Sequence, residues 1–211
     1  MAFNKYVNGA WQEADGAKRY ASGAWTDCDN AYRYESGAWE EALEVEPLYL
    51  IKNGAYQVAF TEIPLWKNMT DSTVTQKPSN GYVEIVTDGL DMRAIITTDE
   101  INLKRYKQIN IEADAQIYLG SSSYENHAVT GVYSELPATI ATGDKATVRD
   151  ECLLYNKFYT MTGKITTVFN TANATVDISG IKQDGHVFMG ITSWNLNTEY
   201  SKLRIKNLWL S

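Results

Sequence analysis

Tyr6-Val7-Asn8-Gly9-Ala10-Trp11, Tyr20-Ala21-Ser22-Gly23-Ala24-Trp25 and Tyr34-Glu35-Ser36-Gly37-Ala38-Trp39 repeat one six-residue unit at a period of 14 residues. Asn-Gly or Ser-Gly inside each unit supplies the positive-φ positions that two-residue hairpin turns require, so each unit predicts a hairpin. Asp15-Gly16 and Asp29-Asn30 fall midway between them and also tolerate left-handed backbone, so turn signals recur every seven residues. Residues 1–42 are therefore expected to form an antiparallel β-meander with strands at 3–7, 10–14, 17–21, 24–28, 31–35 and 38–42.

A two-residue turn pairs its flanking residues directly, and that fixes the register. Counting outward from each turn sets Tyr6 opposite Trp11, Trp11 opposite Tyr20, Tyr20 opposite Trp25, Trp25 opposite Tyr34 and Tyr34 opposite Trp39. One face is thus expected to carry an unbroken aromatic row about 25 Å long, at ~4.8 Å per strand. The other face is small, with Ala10, Ala14, Ala17, Ala21, Ala24, Cys28, Ala31, Ala38 and Ala42. A one-layer ribbon needs something against its apolar face, so Tyr6, Trp11, Tyr20, Trp25, Tyr34 and Trp39 are the candidate assembly interface. A repeating contact suits identical copies around an axis, and a homotrimer is the expected state.

After the repeats the texture changes. Residues 43–47, acidic and closed by Pro47, read as a linker, and 48–211 as a second domain. Residues 49–58 predict a hairpin on Asn53-Gly54, and 61–80, polar with Pro64 and Pro78, an irregular excursion. Strands are expected at 82–86 and 92–97 around the turn Asp88-Gly89, at 106–115, and at 164–169, 174–178, 186–192 and 203–210. No clear period runs through 119–158. The last strand is expected to turn Leu203, Ile205 and Trp209 inward and Arg204 and Lys206 outward. Strands this regular, without a sustained helical period, define an all-β chain: a β-meander followed by a jelly-roll-like β-sandwich.

Composition narrows the function. A net charge of −7 with no Lys/Arg cluster argues against nucleic acid and anionic membranes as partners. No apolar run is long enough to span a bilayer, and the N-terminus lacks a signal-like pattern, so the chain reads as made in the cytoplasm and not inserted in membrane. Cys28 and Cys152 have no metal or redox spacing and read as buried thiols.

The runs Ile101-Asn102-Leu103-Lys104-Arg105-Tyr106-Lys107, Val176-Asp177-Ile178-Ser179-Gly180, His186-Val187-Phe188-Met189-Gly190-Ile191 and Leu203-Arg204-Ile205-Lys206-Asn207-Leu208-Trp209-Leu210 resemble jelly-roll domains of Firmicutes phage and prophage tail-associated proteins. The Tyr-x-x-Gly-Ala-Trp units resemble repeats at the start of similar proteins. The resemblance implies a sandwich architecture and a virion setting, with other virion proteins as partners. It brings no catalytic residue.

The residues weigh the same way. Glu112, Asp114 and Gln116 alternate on one strand, like the acidic strand of some sandwich glycosidases, but an amide in the third position cannot donate the proton. His127 and His186, the only histidines, have no metal-ligand spacing. A structural calcium on loop carboxylates such as Asp88, Asp91, Asp150 or Glu151 is the one cofactor compatible with the sequence. Trp66, Tyr124, Tyr155, Tyr159 and Trp194 fall in or near expected loops, where a ring can stack on a sugar face, and are the candidate ligand-binding aromatics. The reading is a non-enzymatic virion protein whose ribbon assembles and whose sandwich meets a host-surface glycan. The alternatives are a carbohydrate-binding module of a bacterial surface protein and, more weakly, a sandwich glycosidase.

Overall fold

The computed structural model describes residues 3–7, 10–14, 18–21, 24–27, 32–35, 38–41, 45–64, 73–87, 92–117, 127–136, 152–160, 168–192 and 201–211. It divides the chain into two units, Met1–Glu46 and Pro47–Ser211.

In the first unit β1 (Phe3–Val7) pairs with β2 (Ala10–Ala14), β3 (Lys18–Ala21) with β4 (Ala24–Asp27), and β5 (Tyr32–Glu35) with β6 (Ala38–Glu41). Tyr6 stands opposite Trp11, Tyr20 opposite Trp25 and Tyr34 opposite Trp39, as the turn positions require. The expected six-strand meander is corrected to three two-stranded sheets. Among the described residues no ladder joins β2 to β3 or β4 to β5, so Trp11 does not pair with Tyr20, nor Trp25 with Tyr34. Two residues separate the strands within each hairpin, but three or four separate the hairpins, and those longer connections do not impose direct pairing.

The second unit contains β7 (Leu48–Lys52), β8 (Ala55–Tyr56), β9 (Phe60–Pro64), β10 (Thr73–Lys77), β11 (Tyr82–Thr87), β12 (Met92–Thr97), β13 (Gln108–Gln116) and β14 (His127–Tyr133). It continues with β15 (Cys152–Thr160), β16 (Asn170–Thr171), β17 (Ala174–Asp177), β18 (His186–Thr192) and β19 (Ser201–Leu210). Among the described residues helix is limited to two short 3-10 turns, at Pro78–Asn80 and Leu103–Arg105, and no helix is long and apolar enough to cross a membrane. The strands form two antiparallel sheets. The larger runs β10-β11-β19-β13-β16, with β7 and β17 also pairing to β19 and β13, and β8 to β7; the smaller runs β15-β14-β18-β12-β9. This is a jelly-roll-like β-sandwich.

The core lies between the sheets. The larger contributes Val83, Ile85, Ile109, Ile111, Leu203, Ile205, Leu208 and Leu210, and the smaller Ile95, Ala128, Val132, Val187, Met189 and Ile191, all buried. The smaller sheet is apolar on its other face as well, where Ile63, Ala94, Ile96, Val129, Tyr133 and Phe188 form a second buried cluster. Phe188 lies over Gly131, at which an added Cβ would meet the Phe188 ring at 2.6 Å and Leu154 O at 2.0 Å. Only glycine fits beneath that ring.

Four expectations are corrected here. The excursion at 61–80 contains β9 and β10, which are edge strands of the two sheets, where polar residues and a terminal proline are tolerated. β11 and β12, expected on either side of a turn at Asp88-Gly89, belong to different sheets. The patternless stretch 119–158 holds β14 and the start of β15: every residue of β14 is buried, which erases the period of two, and β15 shifts register twice against it. Of the strand expected at 164–169, residues 164–167 lie outside the described residues, while Val168 and Phe169 precede β16, which begins at Asn170.

Candidate ligand-binding face

β19 alternates as expected through Leu203 and Ile205, then changes phase. Ala113 pairs with Ile205 and Glu112 with Asn207, so Lys206 is the extra residue of a β-bulge. Beyond it Leu208 and Leu210 are buried and Trp209 turns outward, correcting the expectation that Trp209 faces the core with Leu203 and Ile205. The bulge is held from the side. Gly54 N–H donates to Lys206 O at 2.9 Å and Asn53 N–H to Asn207 Oδ1 at 2.9 Å, both from the β7–β8 turn, where φ is 49° at Asn53 and 73° at Gly54. A Cβ on Gly54 would lie 2.1 Å from Tyr82 N, so glycine also lets this turn rest on the start of β11.

The outer face of the larger sheet is thereby organised in rows. In the first, Tyr49, Trp209, Asn110 and Thr175 stand side by side across β7, β19, β13 and β17. Tyr49 and Trp209 stack with centroids 5.8 Å apart at 25°, and Lys52 Nζ sits 4.7 Å from the Tyr49 centroid. Thr175 Oγ1 donates to Asn110 Oδ1 at 3.2 Å, and Asn110 Nδ2 to Ser211 Oγ at 2.8 Å. In the second row Glu84, Arg204, Asp114 and Thr171 cross β11, β19, β13 and β16. Arg204 Nε donates to Glu84 Oε2 at 2.7 Å, and Lys206 Nζ pairs with Asp114 Oδ2 at 2.8 Å. The Arg204 guanidinium carbon lies 4.6 Å from the Tyr82 ring centroid and 3.7 Å from that of Phe169. Half-buried rings, amides and charges thus share one surface, the composition that covers sugar faces and binds their hydroxyls.

Glu112 accepts a hydrogen bond from Asn207 Nδ2 and Asp114 is ion-paired, so both carboxylates are engaged by neighbours on their own sheet. The histidines sit at opposite ends of the paired strands β14 and β18. His127 Nδ1 bonds with Thr160 Oγ1 at 2.9 Å, and His186 Nδ1 donates to Thr97 O at 2.9 Å, which fixes its tautomer because a carbonyl can only accept.

Of the aromatics singled out from sequence, Trp66, Tyr124 and Trp194 lie outside the described residues, as do Asp88, Asp91, Asp150, Glu151 and Cys28. Tyr155 and Tyr159 share β15 but not a face: Tyr155 lies 6.2 Å from Phe188 on the outer cluster, while Tyr159 packs on the core between the sheets. A register shift between them, which leaves Phe158 unpaired, separates them. Cys152 is half-buried. Among the described residues no group of three His, Cys, Asp or Glu is placed to hold a metal ion. Tyr49, Tyr82, Asn110, Arg204 and the outward Trp209 were missed as site residues. The apolar spacing of β19, which steps by three from Ile205 to Leu208, is the signal that reveals the outward tryptophan.

No family model matches the chain, and no curated protein matches it. Among solved structures it is similar to a family 29 carbohydrate-binding module (10% identity, 79% of this chain and 92% of that one, TM-score 0.45). It is also similar to the family 27 module CBM27-1 of Caldicellulosiruptor saccharolyticus in complex with mannohexaose (13% identity, 79% and 97% covered, TM-score 0.47). A third similar structure is the enzymatically active domain of tailspike protein 4 of bacteriophage CBA120 (10% identity, 77% and 21% covered, TM-score 0.43).

Proposed function

We propose that this chain is a non-enzymatic structural protein of a phage or phage-like particle, its hairpin unit assembling copies and its sandwich displayed to bind a host-surface glycan. The observation that carries the binding role is the outer face of the larger sheet. There Tyr49, Trp209 and Tyr82 stand among Asn110, Thr175 and Arg204, while Glu112 and Asp114 are already engaged. Such a face binds saccharide without cleaving it. The particle setting rests on the resemblance of the Tyr-x-x-Gly-Ala-Trp repeats.

A glycan array probed with the full chain tests the first part. Trp209→Ala and Tyr49→Ala should each abolish the signal, while Tyr155→Ala, on the other sheet, should leave it; retention of binding by both outer-face variants refutes the site. Light scattering tests the second part. Replacing Trp11, Trp25 and Trp39 by Ser should reduce the mass of the assembly. A wild-type chain that is a monomer refutes the assembly role and favours the reading as a binding module of a bacterial surface protein.

A further inference from the structure

From the state of Arg204 we infer that the outer face recognises an oxyanion carried on the glycan, a sugar carboxylate or a phosphodiester; this rests on the glycan-binding reading above. A guanidinium has two faces and two usable edges. Two rings lie against the Arg204 guanidinium, Tyr82 from the β11 side of β19 and Phe169 from beyond β13. One edge is taken by Glu84, whose side chain is 6% exposed and bonds Nε at 2.7 Å. The Nη1 and Nη2 edge has no hydrogen-bond or ion-pair partner among the described residues, and the side chain is 30% exposed.

An arginine fixed in this way cannot swing to find a partner, and its remaining fork has the geometry of a two-oxygen acceptor. The surroundings favour the same class of ligand. Lys202 lies two residues away on the same face, about 7 Å along the strand, and it too has no partner among the described residues. Gln116, directly opposite Lys202 on β13, offers an amide that is likewise uncommitted. The two carboxylates opposite Arg204 in register, Glu84 and Asp114, are ion-paired with Arg204 and Lys206, which leaves Lys202 as the cation without a counter-charge among the described residues at this spot. Two cationic groups and an amide thus border one spot beside the Phe169 ring. An uncharged sugar would leave the Arg204 fork to water; an oxyanion would bind it in the plane left open.

The test is calorimetric titration of the full chain with an oligogalacturonate, a poly(glycerol phosphate) and an uncharged cello-oligosaccharide, at low and high salt. One or both anionic polymers should bind at least about 10-fold more tightly than the uncharged one, since hydrogen bonds to charged groups are worth that much or more. The difference should shrink as salt screens it. Arg204→Lys keeps the charge and loses the fork; it should weaken the anionic ligand about 10-fold. Lys202→Gln, at a residue without a partner to strand, should weaken it several-fold with unchanged thermal stability. Which polymer binds identifies the source of the oxyanion. Equal affinity for charged and uncharged saccharides, or unaltered binding in the Lys202 variant, overturns this inference and leaves glycan binding standing. Failure of all three to bind overturns both.

Discussion

Breaking the Glu84–Arg204 pair should show how much of the outer face is structural. Glu84 is 5% exposed in all and its Oε2 accepts from Arg204 Nε at 2.7 Å. Removing one partner of a buried pair costs about 3–5 kcal/mol, because a charge is left without compensation. Arg204 is partly open to solvent, which places Arg204→Met at the low end of that range, and two ring contacts add about 0.5 kcal/mol each. Methionine keeps an apolar stem between Tyr82 and Phe169, so packing loss is small. The expected cost is about 3–4 kcal/mol, or roughly 10 °C in melting temperature at about 2–4 °C per kcal/mol for a domain of this size. Glu84→Gln keeps an acceptor for Nε and should cost only about 1–2 kcal/mol. The double variant leaves no uncompensated charge, so it should be more stable than the two costs added together, with a coupling of about 2 kcal/mol. Urea denaturation of the four proteins measures the cycle. A cost below about 1 kcal/mol for Arg204→Met, with no coupling, would mean the pair behaves as a screened surface contact and that the Arg204 fork is not held in place.

Three further outcomes follow from named contacts. Gly54→Ala, at φ 73° and with its Cβ 2.1 Å from Tyr82 N, should cost about 2–4 kcal/mol and alter Trp209 fluorescence, because the turn that anchors the bulge must move. Burial first, and the Glu62 charge second, push the Tyr56 phenol up from 10.0 to about 12. A raised value favours the neutral form in the fold, so this stability is complete below pH 10 and lost as pH rises through 12; Tyr56→Phe should flatten the alkaline limb of a stability profile against pH. Replacing Glu112 and Asp114 together by Ala should cost about 1 kcal/mol of stability and leave the fold intact; polysaccharide cleavage by the wild type that the double variant lacks would refute the non-enzymatic reading.

The parts of the fold legible from sequence are those where a local rule acts alone. Asn-Gly and Ser-Gly placed the hairpins of the first unit, and alternation placed β13 and the first half of β19. Lost were the elements governed by their neighbours. β14 is buried on both faces, Ala128 and Val132 in the core between the sheets and Val129 and Tyr133 in the second cluster around Phe188, and its polar residues His127 and Thr130 are buried as well, so neither burial nor polarity alternates along it. β15 passes from one face to the other through its bulges, which places Tyr155 and Tyr159 on opposite sides. β9 and β10 look like loops because edge strands take the polar residues and prolines that central strands refuse. The pairing of Trp11 with Tyr20 failed for the opposite reason: a rule valid for two-residue turns was extended to longer connections.

The site depends on one of these non-local events. If β19 ran without a bulge, Trp209 would share the core with Leu203 and Ile205, and Leu208 and Leu210 would face solvent. The apolar pattern excludes that, because burying the two leucines is worth more than burying one ring whose indole N–H would need a partner. One residue must therefore be left over, and Lys206 is that residue. Its carbonyl needs a donor once it leaves the ladder, and Gly54 N–H supplies one, while Asn207 bridges Asn53 on one side and Glu112 on the other. The same glycine brings the turn against Tyr82, one of the two rings that hold Arg204. A packing requirement on two leucines thus turns a tryptophan outward beside Tyr49, and the hydrogen bonds that satisfy the displaced backbone link both rows of the face.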